Sequence, residues 1–362
     1  MKIAGIFRGF PGLGRVVSGV ELITHFKDHY NADIRVFSYL QGEKYLNQKG
    51  FAANHSVCEH DFSSIGIIPV SAYGEFIFNQ IEDFNPDIVI IDGEPLILQS
   101  LRVVYPNLKI VALLNPFDVH NPYNQSSSSL IFNDMYSKAS LAIVHGFWKL
   151  EKPYKYNEFL SINTIIRKEV LSIKPTFSNN KICCILGGGT VNSKIEFQEK
   201  SIAIAYKCIQ LADIFNNFEF HIYCSNRQIY NEVIKKHIPS NTFIHANIED
   251  CNEYYSNSKL IIARAGRNTI SEVLYLDIPT IVIPTGCKFR SKEQKTNAEI
   301  VETISSNKIV NINEDIEIND LIKQCEILLN IENQMSSKWI PGNDKAIELI
   351  LNLYNSCINE TK

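Results

Sequence analysis

The stretch RAGRNTISE, residues 264–272, ends the apolar run KLIIARAG and opens a helix-like segment. Two readings fit it. In the first, TISE spells a capping box, in which Thr269 accepts from the first turn and Glu272 reaches back to it. In the second, a strand, a glycine turn and a bare helix N-terminus form an anion site, where N–H groups and the helix dipole converge on a phosphate. GGGT (187–190) also follows an apolar run and precedes SKIE (193–196), again with capping-box spelling. Three successive glycines before a helix are costly unless the backbone approaches a ligand closely, and a phosphate is the usual ligand. PTGCKFRSKEQKTNAE (284–299) offers Lys288, Arg290 and Lys292, which suit a solvated basic face. It also offers Glu293, Gln294 and Asn297, which suit hydrogen bonds to sugar hydroxyls. Near the N-terminus, RGFPGLGRVVSG (8–19) has glycines at 9, 12, 14 and 19. From Gly12 the dinucleotide pattern G-x-G-x-x-G breaks at Val17, so Gly12 and Gly14 read either as a ligand-approach loop or as a plain turn.

These stretches sit among short apolar runs that alternate with amphipathic segments, the pattern of parallel sheets covered by helices. The first series predicts strands at 2–7, 33–39, 87–92, 109–115 and 141–146, with a helix from about 15 to 30 and another from Pro95. Residues 147–180 contain no clear strand, and KPTFSNN (174–180) reads as a linker. A second series predicts strands at 181–187, 219–225, 242–247, 259–266, 279–285 and 308–313, with helices at 193–216 and 291–304. The fold class is α/β, two doubly wound Rossmann-like domains in tandem. The expected boundaries are 1–173 and 181–335, with a final helix at 341–357 folding back on the first domain. Facing domains would put the carboxyl ends of both sheets on a central cleft, where open α/β sheets bind ligands.

The bulk properties narrow the function. The 362 residues carry a net charge of −4, which argues against a broad grip on nucleic acid. No apolar run is long enough to span a membrane, and MKIAGIFRGF lacks the features of a signal peptide. Nine cysteines without C-x-x-C spacing fit a reduced, cytoplasmic protein. Neither a metal nor a cofactor is expected: ligand spacing for zinc is missing, and no Asp-x-Asp motif is present to hold Mg²⁺.

RAGRNTISEVLYLDIPTIVIPTGCKFRSKEQKTNAE resembles the donor-binding region of GT-B glycosyltransferases. It is most similar to the family that adds N-acetylglucosamine to the lipid-linked muramyl peptide of peptidoglycan. The shared features are Arg264-Ala-Gly266, a nearby Thr, then Glu, an apolar-Pro pair and a closing Gln-x-x-Asn-Ala. The resemblance covers about 181–300 and extends more loosely to GFPGLGR and NPDIVIIDGEP (85–95). It implies that Glu272 bonds the ribose hydroxyls of a nucleotide donor. The backbone of Gly266, Arg267, Asn268 and Thr269 would meet the diphosphate, with Gly187, Gly188, Gly189 and Thr190 on its other side. Ile248 would sit by the base, read as uracil, and Glu293 and Gln294 would hold donor-sugar hydroxyls.

One position departs from the family. Its first loop ends in a histidine thought to act in catalysis, where this chain has Arg15. An arginine is no general base at neutral pH, although it can stabilise phosphate charge or bind an acidic acceptor. The base must then come from first-domain loops: Asp92 or Glu94 in IIDGEP first, then His120 in NPFDVH, where Asp118 is also near. Asp92 reads equally as a helix cap before Pro95, His120 as a solvated loop histidine, and His145 as a strand end reaching the domain hinge. The expected function is metal-independent, inverting transfer from a nucleoside-diphosphate sugar, with UDP as the nucleotide, to an unidentified acceptor. A nucleotide-sugar hydrolase, a dinucleotide-dependent oxidoreductase and a non-catalytic sugar-nucleotide binder are the alternatives. The aromatic run 146–159 reads as an acceptor surface, as a patch for peripheral membrane contact, or as packing at a domain junction.

Overall fold

The structure is a computed structural model that describes residues 1–9, 13–52, 74–121, 126–176, 180–187, 195–224, 226–246, 250–284, 291–331 and 338–360. The chain divides into two compact units, Met1–Ile165 with Pro341–Lys362, and Ile166–Ile340.

The first unit contains β1 (Lys2–Phe7), β2 (Asp33–Phe37), β3 (Ile88–Asp92), β4 (Lys109–Leu114), β5 (Leu141–His145) and β6 (Glu158–Ile162). They form one parallel sheet in the order β2-β1-β3-β4-β5-β6. Helices bury both of its faces. Ile3, Phe7, Ile88 and Ile90 pack with the helices Gly14–Tyr30 and Asn343–Glu360 on one side. Ala4, Ile6, Val89 and Ile91 pack with the helices Gly74–Phe84 and Pro95–Val104 on the other. A strand buried on both faces needs apolar residues at successive positions, which is why these strands read as unbroken runs.

The second unit contains β7 (Lys181–Ile185), β8 (Glu219–Tyr223), β9 (Thr242–His245), β10 (Ser258–Arg264), β11 (Thr280–Ile283) and β12 (Ile309–Asn311). The sheet is again parallel, in the order β12-β11-β10-β7-β8-β9. Ile182, Cys184, Phe220 and Ile262 pack against the helices Ile195–Ile214 and Ile318–Leu329.

β6 corrects the reading of 147–180 as strand-free. It pairs with β5 at the sheet edge, and most of it is only half buried. Its sequence EFLSI therefore lacks the continuous apolar run of an interior strand. Among the described residues, no helix is long and apolar enough to cross a membrane.

Candidate functional site

In each sheet the strand order reverses between two neighbours, and the loops leaving their carboxyl ends flank a crevice that suits a ligand. The second unit reverses between β7 and β10. Ile185 pairs with Ala263 there, so the chain leaves both strands side by side. Gly187 follows β7 with φ +107°, a conformation that favours glycine, and a Cβ built there would meet nothing within 4 Å. Gly188, Gly189, Thr190, Ile248 and Gly12 lie outside the described residues, as do Ser193 and Lys194 of SKIE, and Lys288 and Arg290.

After β10, whose last residue Arg264 is buried, Gly266 is the N-cap of the helix Arg267–Leu276. The cap position is extended, at φ −71° and ψ 132°, and no side chain caps the helix. Ile270 N–H donates to the Gly266 carbonyl at 3.1 Å, so the first intrahelical bond already starts at the glycine. This overturns the capping-box reading of TISE. Thr269 lies inside the first turn and Glu272 well into the helix, out of reach of the cap. A helix N-terminus that follows a strand and a glycine, with no side-chain cap, is the kind of geometry that suits an anion.

Glu272 has another arrangement instead. It is 1% exposed and takes both guanidinium arms of Arg167, Nε at 2.7 Å and Nη2 at 2.6 Å. Tyr255 Oη donates to it at 2.7 Å, and Arg167 Nη2 also donates to Tyr254 Oη at 2.9 Å. Burial would lower the Arg167 pKa, but the Glu272 carboxylate outweighs it and raises it well above the usual guanidinium value. Burial, with Glu272 beside it, pushes the Tyr255 phenol up. Glu293 and Gln294 lie half-buried in the first turn of the helix Ser291–Ile304.

The first unit reverses between β1 and β3, where Phe7 pairs with Asp92. Arg15, just after Gly14 in the first turn of its helix, donates to Asp92 at 2.5 Å and to Asp118 at 2.8 Å. Glu94 accepts from Tyr39 Oη at 2.8 Å and faces Arg8 Nε at 3.4 Å. Asp92 is buried and is no helix cap, since Glu94 occupies the N-cap position before Pro95. Gly93 lies between the two acids at φ +88°, and a Cβ there would come within 2.6 Å of Arg15 Cδ and 2.7 Å of Arg8 Cβ. Only glycine leaves room for both arginines. Burial alone would raise the Asp118 carboxyl. The Arg15 guanidinium, with hydrogen bonds from Arg15 and the Asn115 N–H, holds it below the usual carboxylate range.

His120 is exposed at the end of the short helix Pro116–Val119. It lines a cleft of about 500 Å³ with Phe117, Asp118, Leu130, Leu150 and Pro153. His145 lies fully buried, its Nδ1 3.4 Å from the Ile165 N–H.

Comparison with known proteins matches part of the chain to a family model. The glycosyltransferase family 28 C-terminal domain matches residues 182–347. The chain is 25% identical over 269 residues to the UDP-N-acetylglucosamine--N-acetylmuramyl-(pentapeptide) pyrophosphoryl-undecaprenol N-acetylglucosamine transferase of Thermosipho melanesiensis. That match covers 74% of this chain and 72% of the relative. The crystal structure of Acinetobacter baumannii MurG shares the fold with a TM-score of 0.62 at 13% identity, over 97% of this chain and all of that one. The chain is a GT-B glycosyltransferase. The UDP-GlcNAc 2-epimerase of Neisseria meningitidis, solved with UDP-GlcNAc, shares the fold at a TM-score of 0.61 and 15% identity, over 97% and 99% of the two chains.

The structure of this GT-B glycosyltransferase adds residues to which the sequence assigned no role. Arg8, Tyr39 and Gly93 complete the first cluster, and Arg167, Tyr254 and Tyr255 complete the second. Arg8 and Gly93 stand within RGFPGLG and IIDGEP, so adjacency to those motifs was a usable signal. Arg167 had none, because its partner is 105 residues away.

Proposed function

We propose that the enzyme transfers a sugar from a UDP-sugar to an acceptor hydroxyl, without a metal ion and with inversion. The observation that carries this reading is the adjacency of β7 and β10. It sets the chain leaving β7 at Gly187 beside the chain leaving β10 toward the helix Arg267–Leu276, within the unit that matches the family 28 domain. Two such loops at one switch point suit a diphosphate. The names of the relative and of the ligand-bound neighbour, both UDP-N-acetylglucosamine enzymes, favour UDP.

In this reading the Gly187 loop and the backbone of Gly266–Thr269 bind the diphosphate. Arg167 fixes the orientation of Glu272, which accepts from the ribose hydroxyls. Glu293 and Gln294 bind the donor sugar. Asp92, Glu94 and Asp118 are each already paired with a guanidinium, so His120 takes the proton of the acceptor hydroxyl. The acceptor oxygen forms the new bond to the sugar's anomeric carbon. The bond to the diphosphate breaks with its electron pair leaving on UDP, whose charge the helix N-terminus stabilises. Walls of Phe117, Leu130, Leu150 and Pro153 favour an acceptor larger than water, and so transfer over hydrolysis.

Thermal unfolding with a panel of nucleoside diphosphates tests the donor, since a ligand that binds the native state raises the Tm. UDP should raise it most. If no nucleoside diphosphate does so at millimolar concentration, the donor assignment fails; if a purine diphosphate does better, only the uracil assignment fails.

A further inference from the structure

The Glu272 carboxylate has a limited capacity for hydrogen bonds. Each of its oxygens carries two lone pairs, so it accepts from about four donors in all. Oε1 accepts from Arg167 Nε at 2.7 Å. Oε2 accepts from Arg167 Nη2 at 2.6 Å and from Tyr255 Oη at 2.7 Å. Among the described residues, no further group donates to Glu272. Oε2 is therefore filled, and the remaining acceptor position is on Oε1.

A ribose presents two neighbouring hydroxyls, and a carboxylate that grips both takes one on each oxygen. That grip needs an open position on Oε1 and another on Oε2. Here Arg167 and Tyr255 hold both positions on Oε2. The arrangement resists displacement. Tyr255 is fully buried, so moving its hydroxyl off Oε2 would strand a buried donor. Burial, with the carboxylate beside it, raises the Tyr255 pKa, so the phenol stays protonated and keeps donating at neutral pH. Arg167 meets the carboxylate with two bonds, one to each oxygen, which is the strong form of this pair. Its Nη2 also donates to Tyr254 Oη at 2.9 Å, which holds the guanidinium in place.

Building on the donor reading above, we propose that Glu272 accepts a single ribose hydroxyl, on Oε1, and that a nucleoside diphosphate lacking the other ribose hydroxyl binds as well as the ribonucleotide. This narrows the ribose contact from a pair of hydroxyls to one. The class of donor widens accordingly, to sugars carried on a monodeoxyribonucleoside diphosphate. Arg167 and Tyr255 are then positioning residues that set this specificity through Glu272.

The test is calorimetric titration of the full chain with UDP and with its 2′-deoxy, 3′-deoxy and 2′,3′-dideoxy forms. One monodeoxy form should bind within about threefold of UDP, since the hydroxyl it lacks has no acceptor on Glu272. The other should bind about tenfold more weakly, through loss of a charge-assisted hydrogen bond, and the dideoxy form should match it. In Glu272→Gln the gap between UDP and the sensitive form should shrink, because the group that reads the hydroxyl has lost its charge. Where that variant does not fold, Glu272→Leu with Arg167→Met removes the carboxylate and its counter-charge together, and the gap should vanish. Tenfold weaker binding of both monodeoxy forms overturns the proposal, because two hydroxyls are then read. A gap that survives both variants also overturns it, because another group then reads the hydroxyl. If all four ligands bind alike, Glu272 does not touch the ribose, and the proposal fails while UDP binding stands. If UDP itself neither binds nor raises the Tm, the donor reading falls and takes this proposal with it.

Discussion

Glu272 shows how much a single carboxylate depends on what surrounds it. Its sequence context allowed a helix cap or a ribose contact, and the two part at Glu272→Gln, which a capping box tolerates. The structure removes the cap and puts a buried ion pair in its place. Glu272→Gln would leave the half-buried Arg167 short of a counter-charge, so stability should fall by about 1–3 kcal/mol in urea unfolding. Combining Glu272→Leu with Arg167→Met removes both charges and should recover much of that loss. A Glu272→Gln protein as stable as the parent would show that the pair contributes little. The RAGRNTISE motif made Glu272 visible, but Arg167 lies far away in sequence within a stretch that no pattern marks. Tertiary pairing of this kind leaves no local signature.

At the scale of elements, the interior strands were legible because burial on both faces demands unbroken apolar runs. β6 was not, because an edge strand half open to solvent has no such demand. The capping-box spelling offered one start for the helix Arg267–Leu276 that the structure does not use, since a glycine can cap without any side-chain signal. The two glycines that flank the proposed diphosphate site differ in a measurable way. Gly187 sits at φ +107°, so Gly187→Ala should cost about 1 kcal/mol through backbone strain although its Cβ meets open space. Gly266 has an ordinary φ of −71° and open space around it, so Gly266→Ala should shift stability by less than about 1 kcal/mol. If Gly266 is there to let a diphosphate approach the backbone, UDP affinity should nevertheless fall about tenfold in calorimetry. UDP binding unchanged in Gly266→Ala would remove this loop from the donor site.

At the scale of the whole chain, the C-terminal helix Asn343–Glu360 belongs to the first unit although the entire second unit precedes it in sequence. Its apolar face, Ala346, Ile347, Ile350 and Leu353, joins the core that also holds Val16, Val20 and Ile23 of the helix Gly14–Tyr30. Gly342 N–H donates to the Thr164 carbonyl at 3.0 Å, which anchors the returning chain. A Cβ at Gly342 would lie 2.0 Å from the Asn163 carbonyl oxygen, so this close approach requires glycine. The amphipathic pattern of the last helix was legible in the sequence, whereas this anchor was not, because it depends on a backbone contact across the chain. The first unit's core is therefore completed by residues that follow the whole second unit in sequence, and its stability should depend on them. Ile350 is fully buried, and Ile350→Ala should cost about 2–5 kcal/mol by leaving a cavity. Hydrogen exchange read peptide by peptide can place that loss. Amides of β1, β3 and β4 should exchange faster in the variant, while those of β7 and β10 keep their rates. UDP should then slow exchange in the helix Arg267–Leu276 equally in parent and variant, because the residues assigned to the proposed donor site belong to the second unit. A variant in which β7 and β10 lose as much protection as β1 would show that the C-terminal helix stabilises the chain as one cooperative body, and the assignment of its contribution to the first unit would be wrong.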